Sequence, residues 1–259
     1  MPGDVLTMLG LRPLTSLKLR VHDLLERDPL IPPRRLQFVG DGDFAATGDE
    51  FLGHLVELAG LEPDHAVLDV GCGIGRIARP LASFLDERGS YAGFDVNPIG
   101  TGWCQLHYDR ERFRFTRADL FNARYHPTGR HRASEYRFPY EDDAFDVAVM
   151  ASVLTHLLEG EAAHYLAETT RVVRPSGRVL ATFFLLDAES RAAIAADRAA
   201  LSFLDPHEHV AVLREDLPEE AVAYDEAWVR ARANVREVHP GAWRGRPGRS
   251  FQDLVVLCA

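Results

Sequence analysis

The stretch Val67-Leu68-Asp69-Val70-Gly71-Cys72-Gly73-Ile74-Gly75-Arg76 carries the most information in this 259-residue chain. A short apolar strand runs into three glycines at alternate positions, and the residues from Arg76 onward have helical apolar spacing. Strand, glycine loop and helix in that order let backbone approach a ligand closely at the carboxyl edge of a sheet. The spacing also discriminates between ligands. Dinucleotide loops place glycines as GxGxxG around a pyrophosphate, whereas Arg76 stands where that pattern would close on glycine. Asp69 adds an acid on the strand itself. Such a loop suits a zwitterionic amino acid bearing a sulfonium better than a pyrophosphate.

Outward from the loop, strands and helices alternate. Residues 66–70, 90–94, 114–118, 145–150 and 178–185 read as strands. Residues 76–85 (with Pro80 inside), 98–110 and 161–172 read as helices, 121–143 is a polar insertion, and Pro175-Ser176-Gly177 is a turn. Alternation of this kind predicts βαβ units and a parallel sheet. Upstream, Thr47-Gly48-Asp49-Glu50 has the form of a capping box, opening a helix that Gly60 stops. Downstream come an alanine-rich helix to about Phe203, an irregular acidic stretch, a helix near 225–233, and strands at 235–239 and 254–258.

One domain over 47–259 is expected, preceded by an arm over 1–46 in which Pro13, Pro29, Pro32 and Pro33 break up short apolar runs. A second excursion at about 187–224 contains Asp205-Pro206-His207-Glu208-His209. Apolar positions in both, Leu14, Leu17, Leu19, Leu24 and Leu25 in the arm and Ile194, Leu201, Phe203 and Leu204 in the insertion, predict a lid packed over the sheet edge. The alternative is an arm that extends the core or joins a homodimer interface.

Composition narrows the partners. The formal charge of -10, from 29 basic and 39 acidic residues, argues against a nucleic-acid partner, which is normally met by a basic stripe. Arg124, Arg130, Arg132 and Arg137 read as a solvated loop. Cys72, Cys104 and Cys258 are too few and too scattered for a disulfide framework or a CxxC zinc site. No apolar run is long enough to span a bilayer and no signal-peptide pattern opens the chain, so a cytoplasmic location is expected.

Two more acids follow at strand ends. Asp95 lies 20 residues beyond Gly75, in Gly93-Phe94-Asp95-Val96-Asn97-Pro98, where a carboxylate can accept from both hydroxyls of a ribose. Asp119, in Thr116-Arg117-Ala118-Asp119-Leu120, stands at the next edge, where an acid can accept from an adenine amine. One such aspartate is usually a turn residue; three at successive strand ends, the first abutting a glycine loop, form a pattern.

With these motifs in order, the chain resembles the class I S-adenosylmethionine (SAM)-dependent methyltransferases of the bacterial small-molecule type. Asp69-Val70-Gly71-Cys72-Gly73-Ile74-Gly75 is similar to the family's first motif, Asp95 to its ribose acid, and Ala118-Asp119 to its adenine position. Phe138–Asp146 resembles the approach to its fourth strand, and Val173–Arg178 the turn before its fifth. The resemblance implies a Rossmann-like α/β fold: a mostly parallel seven-stranded sheet whose last strand runs antiparallel. It implies SAM as cofactor, converted to S-adenosylhomocysteine. The cofactor residues it points to are Asp69, Gly71, Cys72, Gly73, Gly75, Asp95, Val96, Asp119, Leu120 and Ala151.

The acceptor side is less legible, because one fold serves oxygen, nitrogen, carbon and sulfur acceptors. His156, just past the fourth strand in Ser152-Val153-Leu154-Thr155-His156, is the candidate general base; otherwise it packs at a helix start. Tyr140, Tyr224 and His22 are fallback candidates. Glu161 and His164 share a helix face but have no acidic cluster around them to suggest a metal. The fourth strand ends without the Asp/Asn-Pro-Pro-aromatic motif of nucleobase amino methyltransferases. The leading expectation is a small-molecule O-methyltransferase acting on a sugar or another polar metabolite, with Trp103, Trp228 or Trp243 as flat platforms. The alternatives are an RNA or protein methyltransferase and a SAM-binding scaffold without activity.

Overall fold

A computed structural model describes residues 28–38, 42–122, 125–204 and 208–259. The arm residues Leu14, Leu17, Leu19, Leu24 and Leu25, the candidate His22, Arg124 and Asp205-Pro206-His207 lie outside the described residues.

Helix α1, Phe44–Ala59, begins earlier than the Thr47 signal predicts. Asp43 is the actual cap, its carboxylate accepting from the Ala46 amide at 2.8 Å, so Thr47 falls inside the helix. Gly60 does end it, at φ +66°. Strand β1, Ala66–Val70, is followed by α2, Ala78–Phe84. Pro80 lies in the first turn of α2, where amides have no partner within the helix, and it interrupts nothing. Next come β2 (Ser90–Asp95), α3 (Pro98–His107), β3 (Phe113–Arg117) and β4 (Phe145–Met150). Then follow α4 (Glu159–Val172) and β5 (Val173–Phe183), with Pro175-Ser176-Gly177 as an irregularity inside the strand rather than a turn before it.

The remaining elements are β6 (Leu185–Leu186), α5 (Ala188–Ala195), β7 (Val210–Val212), β8 (Val222–Asp225), α6 (Glu226–Arg232), β9 (Asn234–His239) and β10 (Asp253–Cys258). The main sheet has the order β3-β2-β1-β4-β5-β10-β9. Strands β1 to β5 pair in parallel, and the C-terminal β10 enters antiparallel between β5 and β9. This is the predicted seven-stranded sheet. Two apolar layers cover its faces: Leu68, Phe94, Met150 and Leu166 belong to one, Leu55, Ile74, Leu81 and Val256 to the other.

The 187–224 insertion departs from expectation. Its helix stops at Ala195, and Asp197 turns at φ +54°, so the alanine-rich run does not reach Phe203. The acidic stretch that reads as irregular holds β7 and β8, which join β6 in a second sheet of order β6-β8-β7. A small core of its own, including Phe184, Phe203, Ala223 and Trp243, holds that sheet together.

Candidate functional site

At the carboxyl edge of the main sheet lies a cavity of about 400 Å³, within the ~300–1,000 Å³ typical of small-molecule sites. The glycine loop forms its floor. Gly71, Gly73 and Gly75 all have positive φ, at +75°, +56° and +82°. A side chain at Gly71 would also run into Val153, so glycine is required there on two counts. The amides of Gly71 and Cys72 both donate to the Phe94 carbonyl, at 2.9 and 3.1 Å, tying the loop to β2.

Two acids sit beneath this loop. Asp69 is buried and accepts from the Tyr91 hydroxyl at 2.7 Å. Burial, with Asp95 nearby, pushes its carboxyl from 3.8 up to about 7, against the lowering effect of Tyr91. Asp95 accepts from the Gly73 amide at 2.8 Å and the Asn97 amide at 2.7 Å, so it braces the loop directly. Burial raises its carboxyl as well, opposed by those amides. Burial and the neighbouring carboxylates keep the Cys72 thiol protonated.

Of the residues predicted for a cofactor, Asp69, Gly71, Cys72, Gly73, Asp95, Val96, Leu120 and Ala151 line the cavity. Gly75 does not; it packs under the loop against Cys104 and Tyr108. Asp119 is the clearest departure. Its carboxylate turns away from the cavity to His126 at 3.0 Å and Arg130 at 2.6 Å. Those bonds pull its carboxyl down to about 2. Its neighbour Leu120 supplies the wall instead.

His156 also lines the cavity, on a 3₁₀ turn spanning Leu154–His156. Its Nδ1 lies 2.9 Å from the Glu219 carbonyl oxygen and its Nε2 lies 3.3 Å from the Tyr125 hydroxyl. The fallback tyrosines do not line the cavity. Tyr140 packs among Phe94 and Phe145, and Tyr224 is buried behind the His156 turn. The three tryptophans lie away from the cavity: Trp103 stacks on His107, Trp228 donates to Glu159, and Trp243 donates to Asp253. Glu161 caps α4 through the Leu158 amide, and His164 bonds the Tyr136 carbonyl.

Sequence reading missed much of the wall. Phe38, Phe51, Phe121, Asn122 and Tyr125 are among the residues it did not find. Tyr125 and Asn122 come from the polar 121–143 insertion, which offers no periodicity to read. Ser152 at φ +56° forms the tight turn after β4, its amide donating to the buried Thr182 hydroxyl at 2.7 Å. Among described residues the 187–224 insertion contributes nothing to the cavity wall, and Phe38 is the arm's contribution. The arm's Leu30, Ile31 and Leu36 pack on the core, so its described part extends the core and supplies one wall residue.

Residues 68–181, which carry the end of β1, the loop, β2 to β4 and most of β5, match the family model of a methyltransferase domain. The likeness is to a methyltransferase domain and covers less than half of the chain. The chain is 34% identical over 134 residues to a phthiotriol/phenolphthiotriol dimycocerosates methyltransferase of Mycobacterium ulcerans, covering 49% of this chain and 39% of that protein. It is 28% identical over 149 residues to a ubiquinone/menaquinone biosynthesis C-methyltransferase of Ectopseudomonas mendocina, covering 58% and 53% respectively. The chain therefore spans about half or less of the length of these relatives. The fold is shared with the 1,6-didemethyltoxoflavin-N1-methyltransferase of Burkholderia thailandensis, solved with 1,6-didemethyltoxoflavin and S-adenosylhomocysteine. That likeness has a TM-score of 0.51 at 16% identity over 96% of this chain and 90% of that one. Among the described residues, no helix is long and apolar enough to cross a membrane.

Proposed function

We propose that the chain is a SAM-dependent methyltransferase whose acceptor is a hydroxyl on a small, partly aromatic or apolar molecule. The observation that carries the reading is one cavity bringing together a positive-φ glycine loop, two buried acids and His156. The donor set fits the cofactor: Asp69 meets its cationic amino acid end, Asp95 and Val96 its ribose, Leu120 its adenine and Ala151 its methionine portion. Asp95 accepts from two backbone amides, those of Gly73 and Asn97, and a carboxylate has further lone pairs for ribose hydroxyls.

When bound, the cofactor supplies an electrophilic methyl on a sulfonium sulfur. The loop and Ala151 hold that end in place, and aromatic walls from Phe38, Phe51 and Phe121 exclude water around the acceptor. His156 Nε2 takes the acceptor hydroxyl proton as the oxygen–methyl bond forms and the sulfur–methyl bond breaks. A sugar acceptor loses its support, since the tryptophan platforms lie elsewhere.

A second reading has a specific motive. The ubiquinone/menaquinone relative is named a C-methyltransferase. A base that deprotonates a phenol also activates the carbon beside it, so His156 would serve either outcome. Incubation with ¹³C-methyl SAM and a panel of phenols, catechols and quinols tests both readings, because the product methyl shift separates oxygen from carbon. Turnover should fall about 10²–10⁴-fold in His156→Ala, with SAM affinity nearly intact. Normal turnover in the folded variant removes His156 from the mechanism.

A further inference from the structure

The proposed chemistry leaves the accessory sheet without a part, yet the sheet and the segments flanking its strands contact the turn that carries His156 and the start of the helix after it. The Tyr224 hydroxyl, on β8, shares its proton between the carbonyls of Leu154, at 2.8 Å, and Leu157. These two residues bracket His156. Trp228, on α6, stacks on Tyr224 with centroids 5.2 Å apart, and its Nε1 donates to Glu159 at the start of α4, at 2.7 Å. The Glu219 carbonyl meets His156 Nδ1 at 2.9 Å.

Glu219 is itself held in place. The Leu213 amide donates to the Ala221 carbonyl and the Glu220 amide to the Leu217 carbonyl, at 2.9 and 3.0 Å, while Arg214 pairs with Glu220 at 3.1 Å. A carbonyl oxygen can only accept, so the neutral His156 ring must carry its proton on Nδ1. Its Nε2 lone pair then faces Tyr125 and the cavity. A free imidazole side chain prefers the opposite tautomer, with the proton on Nε2.

We infer that the accessory sheet is the positioning element of His156: the Glu219 carbonyl selects the tautomer in which Nε2 is the acceptor nitrogen, and Tyr224 fixes the turn on which the ring sits. Its value to catalysis rests on the reading of His156 as the base, but the positioning can be measured without turnover.

The measurement is long-range ¹H–¹⁵N NMR on the full chain labelled at histidine, with His156→Gln giving the assignment. At pH 8 wild-type His156 should show the Nδ1–H pattern. In Tyr224→Phe that pattern should give way to Nε2–H or to averaging, while S-adenosylhomocysteine affinity by calorimetry holds within about twofold. Should Tyr224→Phe fail to fold, the surface change Arg214→Ala, which removes the Arg214 contact to Glu220, replaces it with the same expectation. An Nε2–H pattern in the wild type overturns the inference, as does an unchanged tautomer in the folded variant. If the tautomer responds as expected but His156→Ala methylates at the wild-type rate, the positioning stands and the assignment of the base fails.

Discussion

A carboxyl group that titrates near neutrality beneath a glycine loop has two consequences at the scale of one residue. Folding raises the Asp69 pKa from 3.8 to about 7, so the native state favours the protonated acid. Stability contributed by this group is complete below pH 4 and is lost as pH rises through 7. Replacing Asp69 with Asn removes that loss. The variant's advantage over wild type should grow by about 2–3 kcal/mol between pH 5 and pH 7, at 1.36 kcal/mol per unit, and then level off; denaturant melts at both pH values check it. Cofactor binding should move the other way. A cation needs the carboxylate, so wild-type SAM affinity should weaken by up to ~10-fold per pH unit below 7; a flat calorimetric profile there removes Asp69 from the cation's site. Asp119 makes the contrasting case. With its carboxylate held by His126 and Arg130, Asp119→Ala should leave S-adenosylhomocysteine affinity within about twofold of wild type. A loss of tenfold or more would return Asp119 to the adenine edge.

At the scale of elements, the loop's shape is set by what packs on it as much as by its own glycines. Helix α3 crosses the loop at Gly100, where an added Cβ would press on the Gly73 carbonyl and lie 3.1 Å from Phe38. Alanine is the better helix former by about 1 kcal/mol, so Gly100→Ala should strengthen α3 taken alone. We expect the opposite for the site: the loop must shift, and SAM affinity should drop about tenfold or more, a loss of about 1.4 kcal/mol. Calorimetry beside a melt separates the two effects. Unchanged affinity would mean that α3, and not the loop, yields. The capping residues show how far local reading reaches. Asn97 and Asp225 both cap helices whose starts the sequence places well, because a cap and its amides are neighbours in the chain. Asp43 outcompetes Thr47 because it sits beside Gly42, one turn earlier, and bonds the Ala46 amide.

Across the whole molecule, the two sheets are joined by a buried ion network. Arg244, almost wholly enclosed, donates to Asp253 at 2.8 Å and to Asp187 at 2.6 Å. Asp253 on β10 also accepts from the amides of Leu185 and Gly241, both at 2.7 Å, and from Trp243 at 2.9 Å. Truncating one partner strands the other charge in a dry interior. Arg244→Met should therefore cost about 3–5 kcal/mol in denaturant unfolding. A cost under ~1 kcal/mol, the range of surface pairs, would show that the network is hydrated. Since this joint lies at the root of the accessory sheet, the same variant should also disturb His156, far along the chain from Arg244.

The sequence by itself determined the parallel sheet, the glycine loop and most of the acids beneath it. Each is written in local periods: apolar runs that end in glycine, and acids at or near a strand end. His156 too was legible as a residue close to the fourth strand's end. Only the tertiary structure decided where side chains point and which distant groups they meet. Asp119 has the right position but is claimed by Arg130 and His126. Tyr125 and Phe121 reach the cavity from a polar insertion, and β7 and β8 form in a stretch too acidic and too short in its apolar runs to read as strands. Glu219, which meets His156 Nδ1, and Tyr224, which holds its turn, lie more than sixty residues away along the chain. Contacts of that span arise from how sheets stack and insertions return, which no local pattern of residue types encodes.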